Sequence, residues 1–226
     1  MNRYQGLLLD FYGTLVEEDT EIVAGIARRV AAASPRAPTA AAVGAEWSRE
    51  FAALCERAHG GRFASQRALE LASLRALLGR FECALDPEAL SAELFAYWRA
   101  PRALPGAAEF VRALRMPVCL VSNIDAGDLA AALASLGWSF ERVVTSEGCR
   151  AYKPRTEPFE AALARLGLPR DAVLHAGDSL RSDVLGGAAA GIAVAWVNGR
   201  GRPLPAGSAR PEHVVQSVSA LAAVLA

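Results

Sequence analysis

An aspartate that ends a short apolar run and precedes a glycine turn is a carboxylate placed where a substrate can reach it. Asp10-Phe11-Tyr12-Gly13-Thr14-Leu15 has that form. Such an aspartate can act as a nucleophile and carry a covalent intermediate. Gly13 lets the backbone turn away beside the substrate, and the Thr14 hydroxyl can bond the transferred group. Gly177-Asp178-Ser179-Leu180-Arg181-Ser182-Asp183 places two more carboxylates five positions apart across a strand-to-helix turn. Hard divalent cations such as Mg²⁺ prefer a few carboxylates plus water. Asp10, Asp178 and Asp183 in one small space would repel unless a cation sat between them.

Lys153 is the only lysine among 24 basic residues. A chain that uses arginine everywhere else and keeps one lysine points to a need for a compact ammonium at that place. In Ala151-Tyr152-Lys153-Pro154 it can hold Asp10 ionised and balance a transferring anion. Ser122-Asn123 offers a hydroxyl and an amide to that anion's oxygens.

These residues need elements to position them. Gly6–Leu9, Pro117–Val121, Arg142–Thr145, Ala172–Ala176 and Ile192–Val197 are short runs, mostly apolar on both faces, as strands covered on both sides should be. Helical patterns at Ala126–Leu136, Thr156–Leu166 and Ser182–Ala190 separate the later ones. That alternation predicts crossovers and a parallel sheet, with ligands at the carboxyl ends of the strands. Asp10, Ser122, Asn123 and Asp178 all fall at such ends.

From about residue 17 to 102 the alternation stops. Glu21–Ala33, Ala40–Ala58, Ser65–Leu78 and Pro87–Trp98 read as helices, so an all-helical insert is expected after the first strand. Gly199–Pro211 reads as an irregular surface loop, and Val218–Ala226 as a docking helix.

Composition removes several functions. Hydrophobic residues make up 53%, enough for a sizeable core. Lys+Arg and Asp+Glu are both 24, so no basic excess invites nucleic acid. No apolar run reaches the ~20 residues of a membrane span, and the N-terminus does not read as a signal peptide. Four cysteines without CxxC spacing read as reduced thiols in a cytoplasmic protein. The three histidines lack metal-ligand spacing, and His175 reads as a packed strand residue.

In its ordered motifs the chain resembles the haloacid dehalogenase superfamily of aspartate-nucleophile hydrolases. Asp10–Leu15 is similar to the first motif, Ser122-Asn123 to the second, Lys153-Pro154 to the third and Gly177–Asp183 to the fourth. The resemblance implies an α/β fold: a Rossmann-like parallel sheet with helices on both faces, from residues 1–16 and 103–226, and an inserted helical cap domain, 17–102. It implies catalytic roles for Asp10, Thr14, Ser122, Asn123 and Lys153. Mg²⁺ would be held by Asp10, the Tyr12 carbonyl, Asp178 and Asp183. Tyr12 and Gly13 would sit beside the substrate, with Arg36 or Arg62 of the cap meeting an anion.

One position departs from the phosphatases of that superfamily. They carry a second aspartate two residues after the nucleophile, as general acid and base, where this chain has Tyr12. Dehalogenating members share the Tyr-Gly-Thr run but have uncharged residues in the fourth motif. The expected function is an Mg²⁺-dependent phosphatase acting on a small phosphorylated metabolite. A 2-haloacid dehalogenase-type hydrolase is the alternative, and a non-catalytic binding relative a third reading. The expected partner is a small anionic molecule, with no nucleic acid or membrane, on a monomer or homodimer.

Overall fold

A computed structural model describes residues 3–225. Met1, Asn2 and Ala226, at the ends of segments expected above, lie outside the described residues. The strands are β1 Gly6–Leu9, β2 Val118–Ser122, β3 Arg142–Thr145, β4 Val173–Gly177, β5 Ala193–Val197 and β6 His213–Val215. They form one parallel sheet in the order β3-β2-β1-β4-β5-β6, the doubly wound Rossmann-like arrangement. The helices are α1 Thr20–Ala33, α2 Ala40–Arg57, α3 Gln66–Arg80, α4 Pro87–Arg99, α5 Ala107–Ala113, α6 Ala126–Leu136, α7 Ser146–Cys149, α8 Glu157–Leu166, α9 Gly186–Ala189 and α10 Leu221–Leu225. Among the described residues, no helix is long and apolar enough to cross a membrane.

Strand alternation divides the core between two faces. Leu7 and Leu9 of β1 join a cluster with Phe11, Leu120 and Phe110. Leu8 points the other way, to Cys119, Val121, Phe159 and Leu163. All of β1 is buried, which is why it reads as a continuous apolar run. Leu9 pairs with Leu120 on one side and Ala176 on the other, so β1, β2 and β4 end almost level. Their carboxyl ends bring Asp10, Ser122, Asn123 and Asp178 to one edge.

Helices α1–α4 form a strand-free insert between β1 and α5. The chain leaves and returns at one place: Val16 bridges Ala103, and Glu17 N–H donates to Arg102 O. Core side chains hold the insert down. Asp125 accepts from the N–H groups of Gln66 and Arg67, at the positive end of α3. Arg67 grips buried Asp128 of α6 with two hydrogen bonds, of 2.7 and 2.5 Å.

Three local expectations change. The segment read as a helix over 182–190 is a π-helical turn, Leu180–Leu185, followed by the short α9. Asp183 causes this: its carboxylate accepts from Ser179 N–H while Val184 N–H reaches back to Ser179 O. The wider turn aims Asp183 inward. α5 is an element the apolar spacing did not reveal. β6 is a three-residue edge strand, too short to show periodicity, that follows the irregular stretch 199–211.

Candidate active site

Asp10 is buried at the end of β1, and its backbone N–H still belongs to the sheet, donating to Ala176 O at 2.9 Å. Its Oδ1 accepts from Lys153 Nζ at 2.7 Å and its Oδ2 from Thr14 Oγ1 at 2.9 Å. Lys153 spends its other two N–H groups on Asp183 Oδ1, at 2.6 Å, and Val121 O, at 2.9 Å. An ammonium has three donors, and here all three are used. Burial works against the charge on Lys153, but Asp10 and Asp183 outweigh it and raise its pKa above the ordinary value. Burial raises the Asp10 carboxyl, with Lys153 pulling it back.

Asp183 accepts three hydrogen bonds. Its Oδ1 accepts from Lys153 and from His175 Nε2 at 3.0 Å, and its Oδ2 from Ser179 N–H at 3.0 Å. Burial opposes ionisation, but Lys153 and His175 more than offset it, so this carboxyl is held well below its usual value. Asp178 is different. Among the described residues its carboxylate has one weak partner, Arg202 at 3.5 Å, and burial, then Asp10 and Asp183, push its pKa up to about 8. Oxygens of Asp10, Asp178 and Asp183 lie within 4.8 Å of one another, so the acidic cluster exists as a group.

Two glycines make room for it. Gly13 has φ +82°, and a Cβ there would meet Asp178 Oδ1 at 2.5 Å. A Cβ on Gly177 would meet the Asp183 carboxyl carbon at 2.3 Å.

The structure places other expected residues differently. The Asn123 amide is tied to the lysine's loop, Oδ1 accepting from Lys153 N–H at 2.8 Å and Nδ2 donating one hydrogen to Lys153 O at 3.0 Å. It orients the lysine's loop. The Ser122 hydroxyl is buried and has no protein partner among the described residues. The Tyr12 phenol donates a hydrogen bond to Trp98 O at the end of α4. Burial, with Asp128 next in weight, raises its pKa, so the phenol stays neutral.

Arg36 does not meet the site. It pairs with Glu82 at 2.6 Å, where the turn after α1 packs on the turn after α3. α3 starts on Asp125 and runs for 15 residues, or about 22 Å, which carries that end away from Asp10. Arg62 is exposed in the 3-10 turn Gly60–Arg62 and does not line the cavity described next.

Between the insert and the strand ends lies a cavity of about 470 Å³, which Tyr12, Asn123 and Ser179 line from the core and Trp47, Glu70 and Trp98 from the insert. A larger one, about 660 Å³, opens on the side of Gly13, Asp178, Arg200 and Arg202, and no residue of α2, α3 or α4 lines it. Glu70 is buried, and burial, followed by Asp19, pushes its pKa up to about 8. Between its ordinary 4.5 and about 8, the folded protein holds a proton that the unfolded chain has lost. Stability therefore falls as pH rises through that window and levels off above it. Glu70→Gln removes the effect. By urea unfolding we expect it to be more stable than wild type by about 5 kcal/mol at pH 9, with the difference gone by pH 4. A constant difference across that range would contradict it.

His175, Arg202 and Glu70 were not singled out from sequence as site residues. His175 carries a weak signal: it lies two residues before Gly177 on the same face of β4, the face that Asp183 meets.

A carboxylate fixed by an ammonium at the carboxyl edge of a doubly wound sheet, under a helical insert, is equipment for hydrolysis through the side chain itself. The chain belongs to the haloacid dehalogenase-like hydrolase family, whose model matches residues 4–191. Pyrimidine 5'-nucleotidase YjjG of Escherichia coli (strain K12) is 35% identical over 127 residues, which span 54% of this chain and 56% of that protein. An (S)-2-haloacid dehalogenase of Pseudomonas fluorescens is 24% identical over 97% of this chain and 95% of its own. The crystal structure of the L-2-haloacid dehalogenase RSc1362 superposes with a TM-score of 0.81 at 21% identity, covering 98% of each chain. At that identity the superposition speaks for the fold. The dehalogenase of Pseudomonas fluorescens is matched over nearly the whole of both chains, and the nucleotidase over about half of each.

Proposed function

We propose that the protein hydrolyses a carbon–halogen bond of a small molecule by way of an ester of Asp10. The observation that carries this reading is the fate of Tyr12. Two residues beyond Asp10, its phenol is bound to Trp98 O and held neutral. Tyr12 therefore supplies no acid two residues beyond the nucleophile to protonate an alkoxide as it leaves, and a halide leaves without one. An Asp10 oxygen attacks carbon; the C–O bond forms as the C–halogen bond breaks, and the electron pair departs with the halide. Lys153 keeps Asp10 ionised and oriented, Thr14 fixes its second oxygen, and Ser122 has a free hydroxyl at the same edge.

Water then attacks the carbonyl carbon of the ester. Asp178 is the carboxylate placed to take the water's proton. Its raised pKa depends partly on the charge of Asp10, and esterification removes that charge. Collapse of the adduct breaks the ester C–O bond, Asp178 returns its proton to the departing oxygen, and the alcohol carries away an oxygen that belonged to Asp10.

A second reading rests on the acidic cluster. Asp10, Asp178 and Asp183 bring carboxylate oxygens within 4.8 Å of one another, the donor set a Mg²⁺ site takes, and the Tyr12 carbonyl would be a further ligand. Bound there, Mg²⁺ would neutralise and orient a phosphate ester, while Lys153 and Thr14 keep the roles given above.

A substrate panel separates the two. Halide release from chloro- and bromoalkanes bearing carboxylate, neutral or amine ends is expected, unchanged by EDTA. Phosphate release from aryl and alkyl phosphates is expected to be far slower. Phosphate release abolished by EDTA, with no halide from any compound, would overturn the first reading in favour of the second.

A further inference from the structure

The insert's side of the 470 Å³ cavity carries acceptors without a partner among the described residues. Glu70 is only 7% exposed, yet its carboxylate has no hydrogen bond or ion pair among the described residues. Gln66, one turn earlier on the same face of α3, has a buried Oε1 without a partner. Both line the cavity, as does Asp19, which takes one hydrogen bond from Trp98 Nε1. A buried acceptor left unpaired is costly, as Gln66 Oε1 is here, while the Glu70 oxygens keep contact with the cavity, where a donor arriving with the ligand can reach both.

The rest of the lining narrows the choice of donor. Among the described residues no Lys, Arg or His lines this cavity, so a carboxylate end would find no countercharge and would face Glu70 and Asp19. The rings of Tyr12, Trp47 and Trp98 add aromatic faces, which attract cations. A protonated amine brings three donors and a positive charge, matching all of these features. We propose that the end of the substrate remote from its reacting carbon is a protonated amine, held by Glu70 with Gln66 and Asp19 among the aromatic rings. This deepens the reading above and rests on it only for which end reacts. It departs from the anionic substrate that the motifs led us to expect.

The test reads binding, so it does not depend on turnover. Thermal-shift titrations with n-butylammonium and with butyrate are run on wild type, Glu70→Gln and Gln66→Leu. Butylammonium is expected to stabilise wild type, with Kd weakened at least ~10-fold in Glu70→Gln and less in Gln66→Leu; butyrate is expected to give no shift. Glu70→Gln keeps the side-chain shape, and its unfolding curve shows whether it is folded. Stabilisation by butyrate but not butylammonium overturns the proposal, as does no response to either probe. So does equal butylammonium affinity in wild type and Glu70→Gln. An ammonium response lost in Glu70→Gln supports the amine site even if the substrate panel releases no halide, a result that would overturn only the reaction.

Discussion

Asp10→Asn is expected to lower turnover by at least ~10⁴-fold, the scale seen when a nucleophile that works with its neighbours is removed. Folding should survive. The asparagine Oδ1 can still accept from Lys153, and Thr14 can turn its hydroxyl. The buried cluster then contains Lys153 and Asp183 as a neutral pair instead of one ammonium between two carboxylates. One buried charge fewer costs less, so the melting temperature should hold or rise. Halide release and a circular dichroism melt on the same preparation check both halves. A folded Asp10→Asn protein with near-native rates would remove the nucleophile from the account.

Lys153→Met is expected to be damaging twice. It strands Asp10 and Asp183, both buried, without a cation. Breaking a buried pair from one side typically costs 3–5 kcal/mol, and at this chain length that corresponds to a fall of about 10 °C in melting temperature. Turnover should be lost with it. Lys153→Arg should fare little better, since its planar fork is larger than the site where Nζ meets three acceptors within 2.9 Å. The double variant Lys153→Met/Asp10→Asn distinguishes charge from packing. With one carboxylate gone, it should regain part of the lost stability while staying inactive. A simple sum of the two single effects would contradict the electrostatic explanation.

The sequence made the frame of this site readable because the frame is local. Asp10 and Asp178 each follow a buried apolar strand, and the parallel register levels those strands. Lys153 was conspicuous by residue type alone. Contacts settled across the fold were not readable. Asn123 has the right neighbours for an anion-binding amide, yet its amide closes on the backbone of Lys153, 30 residues on. Arg202 sits in a stretch that reads as irregular surface and still reaches Asp178. Glu70 lies on a helix with no chemical motif, and what marks it is the absence of a partner in a buried wall. Arg36 shows the reverse error: a loop arginine was expected near the site, and the length of α3 carries its partner Glu82 away.

The account's central claim is that Asp10 attacks carbon and is then freed by water acting on its own carbonyl. Oxygen isotopes test that directly. Wild-type protein is carried through several turnovers of a halogenated substrate in H₂¹⁸O, and the peptide containing Asp10 is then weighed by mass spectrometry. The account predicts ¹⁸O in the Asp10 carboxylate, with the alcohol from the first turnover carrying unlabelled protein oxygen. If the alcohol is labelled from the first turnover and the Asp10 peptide keeps its natural mass, water attacks the substrate directly and Asp10 is not the nucleophile.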